Sequence, residues 1–414
     1  MNQIIKCLII ISYGFLLVFK GSTNAIFIIF SLVSVYIISF SQDSVSPRFI
    51  QHRLDNWDKI LVFSFCAPLI GLLCAFIGRG SVNLNEMDST ARFLLGIPIY
   101  LYIRSQGQEY CSTFNWGVSI GAILSGFIAL YCPFDYGNQR YGTSFLNPIH
   151  FGNIAITLGA LVIFQGRIGA LKFPLNGLVF VGIFAALSAS VISGTRGGWI
   201  IVLPLIALAV HRRAIHNEKT AFLNLWCFVA LVGLVLLMFI EPIAIRIESL
   251  VVDFLRIKDG DYLNSIGIRL LQWEIVFSQV GSHFIFGQSR EDLVAHIWSL
   301  DFNNETKIIL SEYTRAELHN EFIFRLATYG VVGLIAFLPL LIVPLVFFVR
   351  HVKSKDSYEI DRAYQGMALI ISFSFFCLTA EMFNIVMTSS FFALSLAIIA
   401  GIVRSTQLRN ANNV

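Results

Sequence analysis

Charged residues are scarce in this chain of 414 residues. Asp, Glu, Lys and Arg make up 13% of the positions, about half of the roughly 25% that is typical of soluble domains. Hydrophobic residues make up 56%, and Phe alone occupies 38 positions. Several uncharged stretches approach the roughly 20 residues that a helix needs to cross a bilayer core. This composition excludes a soluble globular enzyme and a disordered chain, and it predicts an all-α integral membrane protein.

The sequence also lacks the short motifs of common soluble enzymes. It contains no P-loop, Rossmann fingerprint or HExxH. None of its seven cysteines forms a CxxC pair, which favours small apolar residues over a disulfide framework or a metal site. The net charge of +4 is small and its basic residues are scattered among loops, so nothing indicates a nucleic-acid partner. We expect no cofactor.

The apolar runs predict about twelve transmembrane helices. The first run follows a short basic region and has no small-residue cleavage site after it, so we interpret it as a retained span. No internal repeat or linker is visible, and residues 1–414 are predicted to form a single polytopic membrane domain. The predicted spans are 4–19, 25–40, 61–78, 91–103, 113–131, 149–165, 175–193, 199–210, 221–240, 326–349, 365–380 and 384–403.

Lys and Arg are distributed unevenly between the two sets of loops. With a cytoplasmic N-terminus, the inner segments hold sixteen of these residues and the short outer loops hold five. Positive charge marks the cytoplasmic side, so both termini are predicted to be cytoplasmic. The long segment 241–325, between spans nine and ten, then faces the periplasm. Within it, Ile243–Ile257 and Ile266–Val280 have the periodicity of amphipathic helices.

Three short motifs are predicted to lie on this outer face. The first is SGTRGGW at 193–199, the second is GIRL at 267–270 with Trp273 and Glu274, and the third is ELHNE at 317–321. Each has an ordinary structural explanation when taken alone: an interhelical turn with a snorkelling Arg, a solvated Arg on a helix, and a hydrogen-bonding His. Their order and their common side of the membrane make them informative together.

In this combination the motifs resemble those of the O-antigen ligases of Gram-negative bacteria. That superfamily also contains O-antigen polymerases and some protein O-oligosaccharyltransferases. The resemblance implies a GT-C-like membrane glycosyltransferase of the bacterial inner membrane with a periplasmic active site. The implied partners are the lipid bilayer, O-antigen linked to undecaprenyl pyrophosphate, and lipid A–core oligosaccharide, whose sugar hydroxyl accepts the glycan.

The resemblance also implies roles for individual residues. Arg196 and Arg269 match the arginines that bind the pyrophosphate, where two guanidinium groups bind oxygens bidentately and offset developing charge. His319 matches the essential histidine, a candidate general base for the acceptor hydroxyl. Glu381 matches an acidic residue of the family, at a position where a ligase of this family has Asp. The alternative interpretation of Glu381 is a helix-end carboxylate that faces water. The other supporting candidates are Glu317 and Asn320.

Two further questions concern metal use and competing functions. Asp259-Gly260-Asp261 spells the DxD that many glycosyltransferases use to hold a cation, but Asp-Gly is an ordinary turn signal. We therefore expect a metal-independent enzyme in which arginines replace the metal. A polysaccharide or lipid transporter is a weaker alternative, because the predicted spans are nearly free of the ionisable residues that mark transport paths. A polymerase that uses the same donor is the closer alternative.

Overall fold

A computed structural model describes residues 2–40, 54–137, 140–166, 175–216 and 219–412. Four of the basic residues counted for the predicted inner loops, Arg48, Arg53, Arg167 and Lys172, lie outside the described residues. Within the described ranges, the regular structure is helical apart from one short antiparallel hairpin of β1 (Phe134–Asp135) and β2 (Tyr141–Gly142), in which Phe134 lies opposite Gly142. The predicted all-α class is confirmed.

The described residues contain seventeen longer helices, numbered here in chain order. Those of the first half are α1 (Asn2–Gly14), α2 (Ser22–Phe40), α3 (Asn56–Arg79), α4 (Leu84–Gln106), α5 (Cys111–Tyr131), α6 (Pro148–Ile163), α7 (Leu175–Ile192) and α8 (Val202–His216). Those of the second half are α9 (Lys219–Met238), α10 (Ile240–Lys258), α11 (Gly267–His283), α12 (Arg290–Ser299), α13 (Asn304–Ala316), α14 (Glu321–Phe337), α15 (Pro339–His351), α16 (Ser357–Phe376) and α17 (Val386–Asn412). Single helical turns span Gly107–Tyr110 and Arg196–Trp199.

Fewer helices are long and apolar enough to span a membrane than the sequence predicted. Each of the twelve predicted segments overlaps a helix, but in the described part of the chain five helices are long and apolar enough to cross a membrane. A sixth is obtained if the bent pair Val229–Met238 and Ile240–Lys258, which meet at 81°, counts as one span. The number twelve is therefore not confirmed. The five are Ser22–Phe40, Asn56–Arg79, Cys111–Tyr131, Glu321–His351 and Val386–Asn410.

Helix α14 is interrupted at Gly330, which has φ +64°. A Cβ at this position would lie 2.2 Å from the Ile285 carbonyl oxygen, so only glycine fits. The segment 284–288 enters the interruption: the Val331 amide donates to the Phe284 carbonyl at 2.8 Å, and the Gln288 amide donates to the Ala327 carbonyl at 2.9 Å. These bonds replace those that a continuous helix would form. They join the end of α11 directly to a predicted membrane helix.

Helix α17 lies at the centre of the bundle and is buried along most of its length. Arg404 near its end donates to Asp58 of α3, as does Arg104 of α4, and this carboxylate is fully buried. Glu381 lies just before the start of α17, at Val386. Val386 and Arg404 are 18 positions apart, which corresponds to roughly 27 Å of helix, about the thickness of a hydrocarbon core. Buried polar residues thus lie near both ends of α17.

Candidate active site

The glycine-containing turn at 193–199 lies between two other elements. The Thr195 hydroxyl donates to the Pro148 carbonyl at the start of α6, at 2.8 Å. A Cβ at Gly197 would lie 2.6 Å from the hydroxyl oxygen of Thr379, in the segment after α16. Gly194 has φ +67°, which closes the turn without strain. Packing on both sides leaves the Arg196 side chain 25% exposed at the surface of the site.

The helix that carries Arg269 is fastened to the start of the third motif. The Trp273 indole N–H donates to the Leu318 carbonyl at 2.9 Å, and the Gln272 amide donates to the Glu317 carbonyl at 3.2 Å. Gly267 begins α11 where a Cβ would lie 2.4 Å from the Tyr262 carbonyl oxygen. The GIRL and ELHNE motifs, 50 residues apart in the sequence, are therefore adjacent.

Asn320 fixes the backbone around His319. Its side-chain oxygen accepts the amide hydrogens of Phe322 and Ile323 at 3.0 and 3.1 Å, so it is the N-cap of α14. Its amide also donates to the Leu378 carbonyl at 3.3 Å. His319 has φ +56° and is the one residue other than glycine with a positive φ in the described part of the chain. Such a conformation costs of order 1–3 kcal/mol and is typical of functional sites.

Glu321 ties α14 to the segment before α17. Its carboxylate is fully buried, accepts the Phe383 amide hydrogen at 2.9 Å and pairs with Arg325 at 2.7 Å. Its own amide donates to the Cys377 carbonyl at 2.8 Å. The last residue of the motif is thus structural, and it holds His319 in place from behind.

Glu317 and Glu381 form a reciprocal clamp between the same two segments. The Glu381 amide donates to Oε1 of Glu317 at 2.6 Å, and the Leu318 amide donates to Oε1 of Glu381. The Glu381 Oε2 accepts Arg290 at 2.6 Å and Asn384 at 2.9 Å. Burial raises the pKa of Glu381 above its usual range, although Arg290 and the Leu318 amide oppose the shift. With 1% of its surface exposed, Glu381 is not the water-facing carboxylate of the alternative interpretation, which is wrong.

Four arginines form a cluster of like charge around the turn: Arg140, Arg196, Arg246 and Arg269. A Cβ at Gly194 would lie 2.8 Å from Nη2 of Arg246. Burial lowers the pKa of Arg269, and the nearby Arg140 and Arg196 act in the same direction against Glu317. Asp253 lies 3.8 Å from Arg196. Neither Arg196 nor Arg269 donates a hydrogen bond to another described residue, and the buried Nε of Arg140 has no partner among them. The cluster therefore presents donors and excess positive charge to an anion.

His319 is held neutral in this environment. Burial lowers the pKa of His319 to about 4, and Arg269, His150 and Arg140 act in the same direction, while Glu317 opposes them. The Nδ1 atom lies 3.5 Å from Oε2 of Glu317. Burial disfavours ionisation of Glu317, but His150, His319 and the Glu381 amide lower its pKa below the usual range. A neutral imidazole beside a carboxylate is in the state that a general base requires.

The structure brings Arg196, Arg269 and His319 into one site and gives Glu317 a place beside the histidine. Asn320 and Glu381 support this site from behind without contributing a free polar group to it. Sequence reasoning missed four residues whose positions depend on contacts between distant segments: Arg140, Arg246, Arg290 and His150. The sequence signal that could have indicated Arg140 is its place in a short loop predicted to face outward. The signal for Arg246 is its place in the amphipathic helix Ile243–Ile257. No sequence pattern distinguished Arg290 or His150.

The DxD triplet lies outside this cluster of contacts. Asp259 is the C-cap of α10, and Gly260 follows with φ +85°. Asp261 accepts hydrogen bonds from Arg256 at 2.8 Å and from the Leu263 amide at 3.0 Å. The triplet is a turn that closes a helix, with one carboxylate already paired to an arginine.

Comparison with known proteins finds one family and one relative that match this sequence. Residues 181–338 match the family described as O-antigen ligase, and this range contains Arg196, Arg269 and His319. An uncharacterized protein of Haemophilus influenzae is 24% identical over 328 residues, which cover 77% of this chain and 80% of the relative. The family match confirms the resemblance inferred from the three motifs and assigns residues 181–338 to the O-antigen ligase superfamily.

Proposed function

We propose that this protein transfers O-antigen polysaccharide from undecaprenyl pyrophosphate to a sugar hydroxyl of lipid A–core oligosaccharide. The arginine cluster around the 193–199 turn is the observation that carries the proposal. A lipid pyrophosphate is a multiply charged anion held at a membrane surface. Arg196 and Arg269, which donate no hydrogen bond to another described residue, provide forked donors that match its oxygens.

The proposed reaction divides the work between the arginines and His319. The acceptor hydroxyl attacks the anomeric carbon of the donor glycan and passes its proton to the neutral imidazole. The bond between that carbon and the pyrophosphate oxygen breaks, and the leaving lipid pyrophosphate keeps the electron pair. Arg196 and Arg269 offset the charge that develops on this oxygen, a contribution that is greatest in a buried, preorganised site. No step requires a metal ion, in keeping with the turn-like geometry of the DxD triplet.

The proposal includes the predicted topology of about twelve spans in the inner membrane, with both termini cytoplasmic and the site periplasmic. It is supported by the polar residues at the two ends of α17: the cationic site residues lie at one end, and the Arg104–Asp58–Arg404 cluster lies at the other. A periplasmic reporter inserted near Asn303 should be active, and a cytoplasmic reporter fused after Lys355 should be active. The opposite result at either position would contradict this orientation.

The direct test is donor binding by the purified protein. Farnesyl pyrophosphate, a short lipid pyrophosphate, should bind the wild-type protein and should bind Arg196→Ala and Arg269→Ala much more weakly. Lys at either position keeps the charge but loses the fork, so we expect it to restore binding poorly. His319→Ala should abolish turnover and leave binding nearly intact. Tight binding by both Ala variants would contradict the proposal, and Asp88→Asn, a change at an exposed ion pair, is the matched control.

A ligase and a polymerase of the same superfamily differ in the acceptor. Deletion of the gene followed by lipopolysaccharide electrophoresis separates them. Loss of all O-antigen with accumulation of the lipid-linked polymer indicates the ligase. Core carrying a single repeat indicates the polymerase, and unchanged lipopolysaccharide together with an altered glycoprotein indicates a protein O-oligosaccharyltransferase.

A further inference from the structure

His150 is a buried polar residue without an explanation in the proposed reaction. It lies in the first turn of α6, and 1% of its surface is exposed. Neither ring nitrogen has a hydrogen-bond partner among the described residues. A buried polar group without a partner costs about 1–3 kcal/mol, and such groups in native structures call for a specific reason. In the described part of the chain its one ion-pair contact is with Glu317.

Glu317 lies between two imidazoles. Its Oε2 is 3.7 Å from Nε2 of His150 and 3.5 Å from Nδ1 of His319. Its other oxygen accepts the Glu381 amide hydrogen at 2.6 Å, which prevents the carboxylate from turning away. The two distances to Oε2 exceed those of normal hydrogen bonds, but such contacts commonly tighten when substrate binds. The residues form a row, His150–Glu317–His319, from the start of α6 to the ELHNE motif.

We propose that His150 is a positioning residue that acts through Glu317 to set the tautomer and basicity of His319. The inference rests on the proposed role of His319 as general base. With its proton on Nδ1, facing the carboxylate, His319 keeps a free lone pair on Nε2 for the proton of the acceptor hydroxyl. The resulting imidazolium is stabilised by the adjacent carboxylate. His150 donates its Nε2 hydrogen to the same carboxylate oxygen and holds it between the two rings.

The charges around His319 make this carboxylate necessary. Arg269 and Arg140 face the imidazole and disfavour its protonated form, as does burial. Glu317 is the group that acts in the opposite direction, and it is the one carboxylate within ion-pairing distance of His319 among the described residues. A base among arginines would otherwise be too weak to accept a proton. The row thus offsets the cation cluster at the one place where the reaction generates another cation.

Enzyme kinetics with matched variants test the row. The substrates are undecaprenyl-pyrophosphate-linked O-antigen and lipid A–core oligosaccharide in detergent. We expect His150→Leu to lower kcat by about 10-fold to about 1,000-fold, with the donor KM unchanged. The upper limit is the roughly 1,000-fold contribution that is typical of a general base. His150→Gln keeps an N–H donor and should recover most of the rate. In a Glu317→Gln background, His150→Leu should change kcat less than about twofold, because both residues act through the same carboxylate.

His351 provides the control for simple structural loss. It is a buried histidine at the end of α15, far from the site, and its Nε2 lies 3.8 Å from a carboxylate oxygen of Glu359 in α16. His351→Leu should lower stability and leave kcat unchanged. Wild-type kcat in His150→Leu would overturn the inference, as would full additivity with Glu317→Gln.

A second readout does not depend on turnover. In ¹⁵N spectra of histidine-labelled protein, the His319 signals are identified by their loss in His319→Gln. The wild-type protein should show the tautomer protonated on Nδ1, and His150→Leu and Glu317→Gln should show a mixture. Unchanged spectra in both variants would overturn the inference. If the wild-type protein transfers no glycan, the proposed function fails while these spectra still decide whether the row controls the tautomer.

Discussion

Glu381→Gln is predicted to destabilise the protein and to leave donor binding intact. The carboxylate accepts hydrogen bonds from Arg290, Asn384 and the Leu318 amide. A glutamine keeps one acceptor oxygen and turns its NH₂ group toward a remaining donor. Breaking a buried ion pair costs about 3–5 kcal/mol. Arg290 retains the Thr314 and Arg315 carbonyls as acceptors at 3.1 and 3.2 Å, which places the expected loss near 3 kcal/mol.

The assay follows the labelling of Cys377 by a maleimide as temperature rises, quantified by mass spectrometry. Cys377 is fully buried, and its carbonyl accepts the Glu321 amide hydrogen, so its exposure reports opening beside the clamp. At about 2 °C per kcal/mol for a chain of this length, the midpoint should fall by about 6 °C. Asp88→Asn, at an exposed pair with Arg92, should change it by less than about 1 °C. An unchanged midpoint combined with lost turnover would show that Glu381 acts in the chemistry and would refute the structural role.

Three other outcomes follow from the site and its surroundings. Because the pKa of His319 is lowered to about 4, kcat/KM should fall only as pH drops through about 4, and an acidic limb near the ordinary histidine value would contradict the neutral environment. The unfolded chain, with a histidine pKa of about 6.5, binds the proton more readily, so this residue's contribution to stability is lost as pH falls from about 6.5 to about 4. Asp58→Ala leaves Arg104 buried without its carboxylate and should reduce accumulation in the membrane, while donor affinity per folded molecule, measured by calorimetry, stays the same. Asp259→Asn and Asp261→Asn should transfer glycan at the wild-type rate in excess EDTA; activity that required added magnesium would move this turn into the site.

The helices were predictable because hydropathy is a local property. Each predicted span overlaps a helix, and Ile243–Ile257 and Ile266–Val280 lie within α10 and α11. The number of membrane-crossing helices was less predictable, since an apolar helix of 16 residues such as Pro148–Ile163 can be buried by its neighbours instead of spanning the bilayer. The helices α12 and α13 were also not predicted, because they are held by capping residues and distant contacts and have no long apolar run.

The site was predictable to the extent that motifs carry it. Arg196, Arg269 and His319 were predicted from a family resemblance, and the structure places them near one another. The environments of these residues were not predictable. From the sequence Glu381 could equally have faced water, yet it is buried because four donors on three segments converge on it and on Glu317. His150 gave no sequence signal, since its importance depends on a single carboxylate 167 positions later in the chain.

The interruption of α14 at Gly330 limits how this protein can exchange parts with its relatives. Residues 284–288, which follow α11, bond to the backbone on both sides of that glycine, so this segment and α14 have to be exchanged together. Consider a chimera of this protein and a relative. If the two sequences are joined near Asn320, residues 284–288 come from one protein and α14 comes from the other. Crossover points placed after Gly333 keep the two together. Transplantation of acceptor preference between such proteins should therefore succeed with the second boundary and fail with the first.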